Sequence, residues 1–254
     1  MTKIMDLTQR CNDLIKDAVE FTTKCQSHCF ITRDKKIQEQ LRDELNPRIQ
    51  ACSTLKTEAI EASKESIANA LLSVEFIFKA VYNDLSVWIA LKEDKCDDAW
   101  DHLITAQGFV RCAMKSHSNL TGLENYSRRL HDVERIVFPG QIFVSSALVV
   151  KSYTCSICAE EYGECGHVVG RAYMGEMCSK IPKGITSVDH VGVMRESDPQ
   201  DKRCRAVTSR DGGNDRDTLT WRTVEKEANR KDTVEDATYA MTSIILRANR
   251  EQGI

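Results

Sequence analysis

From Arg48 to Leu91 the sequence contains neither glycine nor proline, and so long a stretch without a backbone breaker commits this part of the chain to helix. Within it Ile67, Leu71, Val74, Phe78, Val81, Leu85 and Trp88 recur at alternating intervals of four and three residues, the stripe of a helix packed along its length. Ile77, Val87 and Ile89 widen that face, which favours the core of a bundle over an exposed two-stranded coil.

The flanking segments carry the same periodicity. Ile4, Leu7, Cys11, Leu14, Ala18, Phe21 and Cys25 predict a long first helix. A second begins near Asp34 and is expected to break around Asn46, because Pro47 removes a backbone donor and disfavours helix in the residue before it. Asp97 and Asp98 suit the positive start of a further helix whose buried face is Trp100, Leu103, Val110 and Met114, with His117 at its end. Thr121 and Glu124 have capping-box spacing ahead of a shorter helix with Tyr126, Leu130, Val133 and Val137 on one side. Pro139 and Gly140 close the helical region.

After Pro139 the character changes. Ile142 to Tyr153, Ser187 to Met194 and Thr218 to Val224 are rich in β-branched and aromatic residues and predict strands. Arg210 to Asp215 contains Gly212-Gly213 and reads as a hairpin or solvated loop, without the alternating ligands of a calcium-binding loop. Val234 to Arg250 reads as an amphipathic helix with Ala237, Met241, Ile244, Ile245 and Ala248 on its apolar face. The expected fold is therefore α+β and predominantly α: a helical bundle over residues 1–139, then a strand-bearing region with a C-terminal helix over residues 140–254.

Lys and Arg total 35 against 38 Asp and Glu, so no global field draws the chain to nucleic acid or anionic membrane. The N-terminal sequence lacks the apolar core of an export signal, and the apolar run Ile142 to Val150 is too short to span a bilayer. A cytoplasmic protein without a membrane partner is the expectation. The eleven cysteines are then thiols and not a disulfide framework. Cys11, Cys25, Cys52 and Cys112 fall in helical periodicity as small buried hydrophobes. Cys25, His28 and Cys29 share one or two turns but lack a fourth ligand.

One short segment concentrates donors. Cys155 and Cys158 are separated by two residues, and Cys165 and His167 follow a few residues later. A Cys-x-x-Cys turn presents backbone amides to its thiolates, while Cys165 and His167 project to one side if their segment is extended. Gly163 and Gly166 let the backbone bend around an ion. Thiolate and imidazole match zinc, and four such ligands form a closed structural site. Cys178 is the first alternative ligand and His190 a more distant one. Cys155 and Cys158 read alone would be a thiol redox pair, but no helix begins at Cys155 to activate it.

The pattern Cys155, Cys158, Cys165, His167, Gly170, Tyr173, Gly175 and Cys178 resembles the zinc-knuckle loops of uncharacterised bacterial and phage-linked proteins. Val188 to Val193 followed by Asp198-Pro199 is similar to the strand and turn that accompany such loops. The resemblance covers about 50 residues around the loop and implies metal binding without implying a reaction.

No phosphate loop, dinucleotide fingerprint, nucleophile elbow or zinc-protease helix is present, and the chain reads as non-enzymatic. The expected role is a zinc-binding interaction or scaffold protein with a protein partner or a second copy of itself, an accessory subunit of a bacterial or phage-related assembly. Nucleic-acid binding is the alternative, carried by Lys202, Arg203, Arg205 and Arg210 beside the metal loop, with acidic residues interleaved among them.

Overall fold

A computed structural model describes residues 6–117, 122–195 and 201–224. The chain divides into two compact units, Met1–Glu134 with Val149–Ser187 and Arg135–Leu148 with Val188–Ile254. This differs from the sequence boundary at residue 139: the metal-loop segment belongs with the helices, because its contacts are to them. Thr121 and the helix expected over Val234 to Arg250 lie outside the described residues.

Five α-helices build the first unit: α1 (Leu7–Gln26), α2 (Lys35–Glu61), α3 (Glu65–Lys92), α4 (Cys96–Ser116) and α5 (Leu123–Val137), whose last turn passes into the second unit. α3 lies at the centre, packed along α2 and α4 and against α1. Leu71, Phe78, Val81 and Leu85 have no exposed surface, so the broad stripe is a bundle core. On α1, Cys11, Ala18, Phe21 and Cys25 turn inward. Met114, expected inside, is 40% exposed at the end of α4.

The helix breaks fall elsewhere than the sequence suggests. α2 runs through Pro47 without interruption. Proline costs a helix its hydrogen bond to the carbonyl four residues back, but here that carbonyl lies on Asp43, which is exposed and open to water. Arg48 secures the same turn: its guanidinium donates to the Glu44 carbonyl at 3.0 Å, pairs with Asp17 and stacks 3.6 Å over Phe21. The interruption comes instead at Ser63, with φ 54°. The Ser63 amide donates to the Ile60 carbonyl and the Lys64 amide to the Ala59 carbonyl, the paired bonds of a Schellman cap. Asp94, with φ 59°, ends α3 in the same way through Leu91 and Ala90. Glycine usually marks such joints, so these two carried no sequence signal.

Polar groups are also built into the core. The Asp84 carboxylate is fully buried and accepts from Trp88 Nε1, the Tyr126 hydroxyl and the Arg129 guanidinium, tying α3 to α5. Arg129 also donates to the Cys29 carbonyl at the end of α1. Glu75 sits between Lys56 at 2.7 Å and Lys79 at 2.6 Å.

β1 (Phe143–Cys155) pairs with β4 (Lys180–Met194), and β2 (Ala172–Tyr173) with β3 (Glu176–Met177), each as a two-stranded sheet. In the second unit β5 (Thr208–Asp211) and β6 (Asn214–Asp217) form a hairpin, closed by Gly212 and Gly213 at φ 55° and 89°, the two positive angles of a type I′ turn. Thr218 to Val224 is not the expected strand. The Asp217 carboxylate draws the amides of Leu219 and Thr220 into a turn, leaving one bridge between Arg216 and Thr223. No helix among the described residues is long and apolar enough to cross a membrane.

Desolvation opposes ionisation of Glu75, but the Lys56 and Lys79 ammonium groups prevail and hold its pKa below the ordinary value. A lowered folded-state pKa gives stability that is present above the unfolded pKa and lost as pH falls through the folded one. Glu75→Gln should cost about 2 kcal/mol near neutral pH by leaving two ammonium groups without their partner. Melting curves across the acid range should show that gap closing as pH drops; a gap independent of pH would remove the ion-pair explanation.

Candidate metal centre

β1 ends at Cys155, where the chain turns sharply. The Ala159 amide donates to the Cys155 carbonyl and the Cys155 amide to the Glu160 carbonyl, both at 2.9 Å, with Ala159 left-handed at φ 60°. This turn aims the Ile157 amide at Cys155 Sγ, 3.4 Å away. Desolvation raises the Cys155 pKa, but the Cys158 and Ile157 amides and the Cys158 and Cys178 thiols outweigh it and bring it down to about 6. Amide support of the thiolates is thus realised as the Cys-x-x-Cys spacing anticipates.

The next segment folds back beside that turn. The Tyr162 amide donates to the Tyr153 carbonyl, and Gly163, at φ 115°, reverses the chain toward Cys165. The Tyr173 hydroxyl accepts from the Val168 amide at 3.0 Å, and the Tyr162 hydroxyl accepts from the Val169 amide at 3.3 Å. The Tyr173 ring meets His167 edge-on at 4.7 Å. These contacts fix the His167 imidazole.

The outcome is that Cys155, Cys158, Cys165 and His167 each place one ligand atom within 4.8 Å of the others. Zinc–sulfur bonds of ~2.3 Å in a tetrahedron separate the sulfurs by ~3.8 Å, so the donors stand within about an ångström of coordination spacing. Buried Nδ1 of His167 has no hydrogen-bond partner among the described residues. Buried polar nitrogens are otherwise almost always satisfied, so this ring lacks the hydrogen-bond partner that a histidine serving packing alone would carry. The set of residues fits a metal ion of thiolate and imidazole preference.

Cys178 is buried, with Sγ 3.8 Å from Cys155 Sγ. Desolvation first, then neighbouring Cys155, pushes its pKa up to about 11. Its backbone is locked in both directions: the Cys178 amide donates to the Arg171 carbonyl and the Gly170 amide to the Cys178 carbonyl.

Other candidates are placed apart. The exposed His190 ring pairs with Asp189 at 3.1 Å. His28 is held by Ser27 and the Lys24 carbonyl, while Cys25 is buried with its pKa driven up to about 12 by desolvation. Cys29 is fully buried against Asp84. Among the basic residues, Lys202 is half-buried, and Arg203 and Arg210 are exposed. Arg205 is 6% exposed and donates to the Thr218 hydroxyl at 2.8 Å. Arg205 is therefore turned inward, whereas the sequence reading places it among surface basic residues.

The residues that seat the loop on the bundle had no sequence signal. Asn69 on α3 donates to the Ala172 carbonyl at 3.3 Å and accepts from the Gly175 amide at 2.8 Å. Glu65 accepts from the Met174 amide and Ser116 on α4 donates to Met177 Sδ. Gly175, at φ 79°, lies so near Lys56 and Ile60 of α2 that a Cβ would meet them at 3.2 Å.

No protein-family model, no curated protein and no solved structure matches the chain.

Asn69→Ala removes both side-chain bonds to the β2–β3 hairpin and should cost about 1–2 kcal/mol. Amide hydrogen exchange should quicken at Gly175 and its neighbours while α3 core amides remain protected. Unchanged exchange at Gly175 would show that Asn69 does not hold the loop.

Proposed function

We propose that this chain is a non-enzymatic zinc-binding scaffold, in which one ion held by Cys155, Cys158, Cys165 and His167 fixes a loop on the face of the helical bundle. The observation that carries the reading is the convergence of three sulfurs and an imidazole within 4.8 Å, one nitrogen of that imidazole being buried without a partner. Zinc is favoured because thiolate with imidazole in a four-ligand shell is its structural donor set. Four protein ligands leave no position for an activated water, which favours a structural over a catalytic ion.

The loop has little core of its own. Cys155 and Cys178 are buried within it, while Glu160, Glu161, Gly163, Glu164, Gly166, Val168 and Val169 are exposed. Segments this small rely on a metal for their folding energy. Seated on α2, α3 and α4, the loop presents a rigid edge to a protein partner or to a second copy of the chain. Its resemblance to zinc-knuckle loops of bacterial and phage-linked proteins supports membership of an assembly of that kind.

Elemental analysis of the purified protein, beside a Cys155→Ser, Cys158→Ser variant, tests the metal. About one zinc per chain is expected in the wild type and none in the variant, as a structural four-ligand site requires. Chelation should lower the wild-type melting temperature toward that of the variant and leave the variant unmoved. A folded wild type without metal would overturn the reading.

A further inference from the structure

Five donors surround a site with four places. Cys155, Cys158, Cys165 and His167 make up the mutual cluster, and Cys178 stands outside it while touching it, its sulfur 3.8 Å from Cys155 Sγ. Cys178 is held there firmly by its own backbone bonds to Arg171 and Gly170 and by those of Ser156 and Ser179 across the turn. A second thiol fixed this close to Cys155 Sγ is placed to form a disulfide with it.

We propose that Cys155 and Cys178 form a redox release for the metal: oxidation by a peroxide joins them as a disulfide and expels the ion. The inference rests on the metal reading above. The Cys155 thiolate sulfur attacks one peroxide oxygen, the O–O bond breaks, and the departing oxygen leaves as water once protonated. Cys155 is now a sulfenic acid. Cys178 sulfur attacks the Cys155 sulfur, the S–O bond breaks, and the hydroxyl departs as a second water with the Cys178 proton. Overall two thiols are oxidised by two electrons while the peroxide is reduced to two waters. The sulfurs close from 3.8 Å to a bond of ~2.05 Å, a movement within reach of side-chain rotation.

The burial of the pair selects the oxidant. Cys155 is 1% exposed and Cys178 2%, so a bulky disulfide is turned away and any oxidant must be as small as hydrogen peroxide. Once Cys155 is in the disulfide it has no thiolate to offer. Cys158, Cys165 and His167 alone leave the site open, and the ion escapes.

The test uses the full chain loaded with zinc, treated with hydrogen peroxide, with release followed by a chromogenic chelator and disulfides mapped by mass spectrometry. The wild type should release its zinc as a Cys155–Cys178 disulfide appears, and regain it after reductant and zinc are added. Cys178→Ala should hold zinc before oxidation and release it at least several-fold more slowly, without recovery. Mapping in the wild type stands independently of how that variant folds, and Cys178→Ser provides a second replacement. A Cys158–Cys165 disulfide, wild-type release from Cys178→Ala, or zinc missing from unoxidised, folded Cys178→Ala would each overturn the release device and leave the metal reading intact. Unoxidised wild type without zinc would instead overturn the metal reading, and this inference with it.

Discussion

Three thiols and an imidazole held within 4.8 Å of one another form a donor set that a cation would bind together. That convergence organises the loop that follows β1. Without a cation, convergence of the sulfurs carries a desolvation cost that the Cys158 and Ile157 amides offset at Cys155. With one, the same geometry becomes the strongest local tie in a loop with few buried side chains. The turn at Cys155, the reversal at Gly163, the Tyr173 clamp on His167 and the β2–β3 hairpin all serve that convergence.

The helices contribute what an ion at these four donors could not. A metal fixes its ligands relative to each other but says nothing about where the cluster sits. Asn69, Glu65 and Ser116 supply the position by meeting backbone and side-chain groups of Ala172 to Met177. Glycine at 175 permits the approach to Lys56 and Ile60, and Lys56 also neutralises buried Glu75. The bundle thus carries paired charges close to the face on which the loop rests. Deeper in it, Asp84 and Arg129 perform a similar service between α3 and α5.

Much of this was written locally in the sequence. The stripe from Leu71 to Leu85 and the four clustered donors depend on short spacings, and short spacings can be read directly. Helix joints were harder. Pro47 looks like a break, but an exposed position and the Arg48 side chain keep the helix intact; Ser63 looks like helix and is the break. The role of Asn69 depends on a partner 106 residues away, and no local pattern records such a pairing. Arg205 belongs to the same class: a basic residue in a polar segment reads as surface, and only the Thr218 hydroxyl from a later turn shows it turned inward.

The two left-handed joints have a practical consequence. Ser63 and Asp94 hold a conformation that costs an L-residue roughly 1–2 kcal/mol and glycine much less. Each is therefore a reserve of stability that one substitution can draw on, at a corner between helices and away from the ligand sulfurs. A chain with glycine in place of Ser63 would begin with a more stable helical bundle beneath the loop. The helical scaffold and the loop with its four clustered donors could then be studied as separable parts of one molecule.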